Sequence, residues 1–101
     1  MKNTKKFFKI FFSYKEEEKW LNQMSEKGYD LTDYSWGVYN FEKARSDKYI
    51  YRIGILKKSY KHEESKGFIK FMADCDIELV AANNRWTCFR RESSKGRFVL
   101  D

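Results

Sequence analysis

The sequence holds no proline and only five glycines in 101 residues. That scarcity argues against a disordered or linker-rich chain, where such residues accumulate. Histidine occurs once, at His62, and cysteine twice, at Cys75 and Cys88. A structural zinc site needs about four N, S or O ligands at workable spacing. These three residues do not supply them, so no metal and no cofactor is expected. A cysteine nucleophile needs a base beside it, and His62 is the one conventional candidate. A surface histidine and two small buried thiols are the expectation instead. There is no Gly-rich phosphate loop and no serine in a nucleophile elbow. Asp74 and Asp76 stand two positions apart and do not face each other on a helix. The chain is therefore expected not to be an enzyme. Nor does any apolar run approach the ~20 residues that span a bilayer. The basic start leads into Phe7 to Phe12, which Lys9 interrupts and no small-residue cleavage site follows. These absences lead to the expectation of a cytoplasmic protein with free thiols and no membrane segment.

What the chain has is rings. Nine Phe, seven Tyr and three Trp make it 19% aromatic, enough to build a core from few positions. The length suits one domain over residues 1–101. The net charge of +6 raises nucleic acid, an anionic surface or an acidic protein as partners. However, 15 acidic residues are spread among the 21 basic ones, a balance that also serves solubility alone.

Residues 5–13 read as a strand with Phe8, Ile10 and Phe12 on an apolar face. Ser13 and Glu16 form a capping box that opens a helix. Trp20, Leu21 and Met24 make its apolar stripe, and Lys27-Gly28 closes it. A strand from Tyr29, a tight turn near Ser35-Trp36-Gly37 and a strand to Lys43 follow. Tyr49 to Leu56 is a further strand, rich in β-branched and aromatic residues. A second helix carries Phe68, Ile69 and Met72, with no clear start signal in the polar stretch 57–66. Ile77 to Ala81 and Arg85 to Arg91 are strands around an Asn83-Asn84 turn, and 93–101 reads as a loose tail, with docking of Phe98-Val99-Leu100 as the alternative.

An offset of 48 residues aligns Trp20 with Phe68, Leu21 with Ile69, Met24 with Met72, Tyr29 with Ile77, Leu31 with Leu79 and Phe41 with Phe89. The chain thus reads as two pseudo-repeat halves, about 5–43 and 49–91. The expected class is α+β: a ferredoxin-like split β-α-β arrangement with duplicated halves, both helices on one face of an antiparallel sheet and extended hairpins. The expected core is Phe8, Phe12, Trp20, Leu21, Met24, Leu31, Phe41, Ile53, Phe68, Met72, Leu79 and Phe89.

Residues 17–31, EEKWLNQMSEKGYDL, resemble the opening of a bacterial family, domain of unknown function 2812. Tyr39-Asn40-Phe41-Glu42-Lys43, Tyr49-Ile50-Tyr51-Arg52-Ile53 and Arg85-Trp86-Thr87-Cys88-Phe89-Arg90-Arg91 resemble its later strands in the right order, so the likeness spans about residues 7–91. The resemblance implies no activity and no catalytic residues. It implies frequent encoding beside PadR-type regulators and, in many members, membrane helices after the domain, which this sequence lacks.

Two helices cover one sheet face, and the chain carries more rings than one such layer needs. Tyr34, Trp36, Tyr39 and Trp86 lie around the bends and turns and are the candidate partner-binding rings, with Arg85 and Arg90 as a polar rim. The expected function is a non-enzymatic protein-interaction or regulatory module, self-associating as a homodimer or bound to another protein. The alternatives are a nucleic-acid-binding protein using basic and aromatic sheet residues, a phage or mobile-element inhibitor of a host protein, and a small-molecule sensor with an apolar groove.

Overall fold

The computed structural model describes residues 3–100. Along the chain run β1 (Thr4–Phe8), α1 (Tyr14–Glu26), β2 (Tyr29–Ser35), β3 (Val38–Lys43), β4 (Tyr49–Ile55), α2 (Glu63–Asp74), β5 (Glu78–Asn83), β6 (Trp86–Glu92) and a 3₁₀ turn (Ser93–Lys95). Ser13 caps α1, its hydroxyl accepting from the Lys15 amide at 3.2 Å, and acidic Glu16 and Glu17 occupy the first turn. The start of α2, unmarked in the sequence, is capped by His62, whose Nδ1 accepts from the Glu64 amide at 3.1 Å.

The repeat reaches into the backbone. Each half has a bulge at the same place, between Leu31 and Asp33 and between Leu79 and Ala81, 48 residues on. The residue after each helix cap is left-handed at Gly28 (φ 88°) and Asp76 (φ 64°), and each hairpin tip is left-handed at Trp36 and Asn84. Gly28 is needed there because a Cβ would also stand 2.9 Å from the Ala44 carbonyl oxygen.

The single sheet expected from the sequence is replaced by two three-stranded antiparallel sheets, ordered β1-β3-β2 and β4-β6-β5. The reason lies at β4. The edge of β4 that β6 leaves open is taken by α1. Asn22 accepts from the Tyr51 amide at 2.8 Å and donates to the Tyr51 carbonyl at 3.1 Å. Glu18 accepts from the Ile53 amide at 3.0 Å, and Ser25 donates to the Tyr49 carbonyl at 2.7 Å. Residues 18, 22 and 25 form one helical stripe, and it does for the strand edge what another strand would do.

The helices therefore do not share a face. Leu21 and Met24 of α1 lie in a core with Leu31, Tyr39 and Phe41 of the first sheet and Tyr51 and Cys88 of the second. Met72 of α2 packs with Ile77, Phe89 and Phe98, on the opposite face of the second sheet because side chains alternate along β6. Most of the expected core is buried or half-buried, but two positions are wrong. Phe8 is 68% exposed and Phe12 fully exposed, while Phe7 and Phe11 pack inward. β1 ends at Phe8, where its register places Phe7 opposite Tyr39 on the inner face and Phe8 opposite Val38. The tail is also not loose: Phe98 is buried and Leu100 packs beside it. No helix among the described residues is long and apolar enough to cross a membrane.

Candidate functional site

One corner of the molecule gathers most of its exposed rings. After β1 the chain runs beside the β2–β3 hairpin, fixed by the Lys9 amide donating to the Gly37 carbonyl at 2.9 Å. This places Phe8, Ile10, Tyr14 and Trp36 around one opening, and all four are exposed. Beneath them is a hollow of about 330 Å³, walled by Tyr34, Tyr39 and Trp86 and reaching Glu17. Tyr34 links the halves, with ring centroids 4.6 Å from Tyr39 and 4.7 Å from Trp86. Trp20 stands 5.0 Å from Tyr39 and 5.5 Å from Phe11, and the Lys9 ammonium lies 4.9 Å over the Trp20 ring.

The floor is polar. Glu17 is buried, with its Oε2 accepting from the Tyr39 hydroxyl and its Oε1 from the Trp86 indole at 3.1 Å. Burial, then the hydrogen bond to Glu17, pushes the Tyr39 phenol far above its ordinary value, so it stays a donor. A carboxylate on α1 thus joins a strand of each sheet. By position alone Glu17 is a first-turn acid suited to the helix dipole. Nothing in its local pattern distinguishes that role from a buried one.

The structure divides the candidate residues. Tyr34, Tyr39 and Trp86 meet inside, Tyr39 fully buried, and Trp36 alone among the four rings stands out, 84% exposed. Trp36 holds a left-handed conformation (φ 50°) beside Gly37 (φ 82°), both central residues of a tight hairpin turn having positive φ. That conformation disfavours a side chain with a Cβ by roughly 1–2 kcal/mol, and the exposed indole gains little packing in return. Arg85 and Arg90 form no rim here. Arg85 donates to the Leu56 carbonyl at 2.7 Å. Arg90 lies at the seam between the sheets: it donates to the Leu31 carbonyl at 3.1 Å, pairs with Glu78 and stacks 3.9 Å over Tyr49. Beside it the Tyr51 phenol accepts from the Leu31 amide at 2.9 Å, and burial pushes it up to about 12.

Cys75 and Cys88 are free thiols, and burial pushes the Cys88 thiol far up, which keeps it protonated. Among the described residues no group of three or more His, Cys, Asp or Glu could hold a metal ion.

A family model described as protein of unknown function (DUF2812) matches residues 13–100. No curated protein and no solved structure matches the chain. The family match takes in the capped helix α1, both hairpins and the docked tail, and the chain belongs to the DUF2812 family.

Proposed function

We propose that the protein is a non-enzymatic interaction module that makes protein contacts, with a second copy of itself or with another protein, through the corner of Phe8, Ile10, Tyr14 and Trp36. The observation that carries this reading is Trp36, a large indole in an unfavourable backbone conformation with most of its surface in water. Strained residues of this kind concentrate where a surface is used, and contiguous apolar patches of several hundred Å² mark interaction sites. The polar floor supports the same reading: Glu17, Tyr39 and Trp86 hold the rim's supports rigidly across both sheets, which limits the ordering cost of binding. The strand order within each sheet supports viewing each half as a ferredoxin-like split β-α-β unit.

Light scattering of the parent and of Ile10→Ser/Trp36→Ser, at low and physiological salt, tests the proposal. Self-association in the parent that the double variant loses, with little dependence on salt, is the expected result for a homodimer. For a partner other than itself, the expected result is recovery of one protein species from the native host by the parent and not by the variant. A strict monomer that binds single-stranded oligonucleotide, with affinity falling steeply as salt rises, would replace this reading with the nucleic-acid one.

A further inference from the structure

A larger hollow lies away from that corner. A cavity of about 620 Å³ opens between α2, the end of β4 and the C-terminal segment, within the usual range of about 300–1,000 Å³ for small-molecule sites. We propose that it binds a single-chain aliphatic carboxylate, an amphiphile of the fatty-acid type.

The repeat explains why there is space. Three of the residues lining the cavity are Ser65, Phe68 and Thr87. Their counterparts 48 residues earlier are Glu17, Trp20 and Tyr39, each a larger side chain. In the first half Trp20 and Tyr39 pack ring to ring at 5.0 Å over Phe41. In the second, Phe68 meets Phe89 at 6.1 Å with only Thr87 in the place of Tyr39. At these positions the larger side chains of the first half leave a hollow of about 330 Å³, and the smaller ones of the second leave about 620 Å³. Leu100 forms one wall of the hollow, packed so closely on Gly54 that a Cβ there would stand 2.7 Å from its Cδ1.

The lining selects the ligand. Leu56, Phe89, Val99 and Leu100 give apolar walls. Two hydroxyls of the lining have their protons engaged: Thr87 donates to the Gly54 carbonyl at 2.6 Å and Ser65 to the Lys58 carbonyl at 3.1 Å. A sugar or a nucleobase would bury donors and acceptors without partners, which is unfavourable; an alkyl chain would not. Its lining also holds Arg52, Lys57 and Lys58 with one acid, Glu64; Lys58 pairs with Glu64 at 3.4 Å and Arg52 with Glu18 at 3.9 Å, which leaves Lys57 as the lining cation with no ion pair among the described residues. An apolar body with a single anionic head meets both conditions.

Calorimetric titration of the full chain with dodecanoate, dodecanol and dodecyltrimethylammonium, each below its micelle concentration, tests the proposal. Methyl chemical shifts are followed in parallel. Dodecanoate should bind one to one and at least tenfold more tightly than either of the others, and Lys57→Ala/Lys58→Ala should remove that preference. The shifts should concentrate at Leu56, Val99 and Leu100. Phe68→Trp, which restores the first-half ring, should weaken dodecanoate at least tenfold; if that variant does not fold, the shift map of the parent still locates the ligand. Equal affinity for the alcohol, shifts centred on Ile10 and the exposed corner, or no saturable binding would each overturn the proposal. This site does not depend on the corner being an interaction surface.

Discussion

The two halves share a backbone plan and differ in what they do with it. In the first, Trp20 is surrounded by Phe7, Phe11, Tyr39 and Phe41. In the second, Phe68 meets Phe89 alone among the rings of the described residues, and a cavity lies beside it. The polar stripe of α1 at Glu18, Asn22 and Ser25 grips β4, while the corresponding positions of α2 are Lys66, Lys70 and Ala73, all exposed. One hairpin tip presents Trp36 and the other Asn84. Duplication thus supplied geometry, and the side chains then divided the tasks: the first half holds the molecule together and the second leaves room.

The sharpest test is the ring pair. Trp20→Ala should cost about 3–5 kcal/mol in chemical denaturation. Phe68→Ala, beside an existing hollow, should cost nearer ~2 kcal/mol. Equal losses would mean that the halves are packed alike. Next comes the helix stripe. Asn22→Ala removes a donor and an acceptor from β4 and should cost about 1–3 kcal/mol, whereas Lys70→Ala, its counterpart, should stay within about 0.5 kcal/mol of the parent. Exchanging the hairpin tips follows. Asn84→Trp should lower stability by roughly 1–2 kcal/mol, while Trp36→Asn should leave it unchanged or raised; thermal melts read both. The smallest effect is expected at Asp30 and its counterpart Glu78. Asp30 is buried with one carboxylate oxygen unpartnered and Lys48 at 3.8 Å, and burial raises its carboxyl above the ordinary 3.8. A raised folded value means that the fold favours the protonated carboxyl. The penalty is absent below the ordinary value, grows as pH climbs through the folded one and is complete at neutral pH. Asp30→Asn should therefore gain on the order of 1 kcal/mol at neutral pH, and that gain should vanish in acid. Urea titrations of Asp30→Asn at the two pH values check this, and Glu78→Gln, which loses its pair with Arg90, should bring no gain at neutral pH.

Much of this arrangement is legible in the residues. The Ser13 cap, the Gly28 stop, the stripe of Trp20, Leu21 and Met24 and the offset of 48 all rest on local chemistry that survives folding. Between Phe7 and Phe12 the face was not legible, because only Lys9 breaks the apolar run and alternation cannot assign sides; a slip of one residue inverts them all. The division into two sheets was hidden for a different reason. Glu18, Asn22 and Ser25 have the polarity of a solvent-facing stripe, and a polar stripe that meets a strand edge looks the same in sequence as one that meets water. Of the candidate residues, the rings Tyr34, Trp36, Tyr39 and Trp86 assemble around one hollow. Their ordering into one exposed tip and three interior supports depends on Glu17, a long-range partner that no spacing announces.

The grip of α1 on β4 has a consequence for how the chain can be cut and made. A second half released from the first would show the Tyr49 and Tyr51 carbonyls and the Tyr51 and Ile53 amides unpaired along Tyr-Ile-Tyr-Arg-Ile, a template on which strands from other molecules could add and polymerise. Because α1 precedes β4 in the chain, it leaves the ribosome first. The strand most in need of a cover is synthesised only after its cover exists.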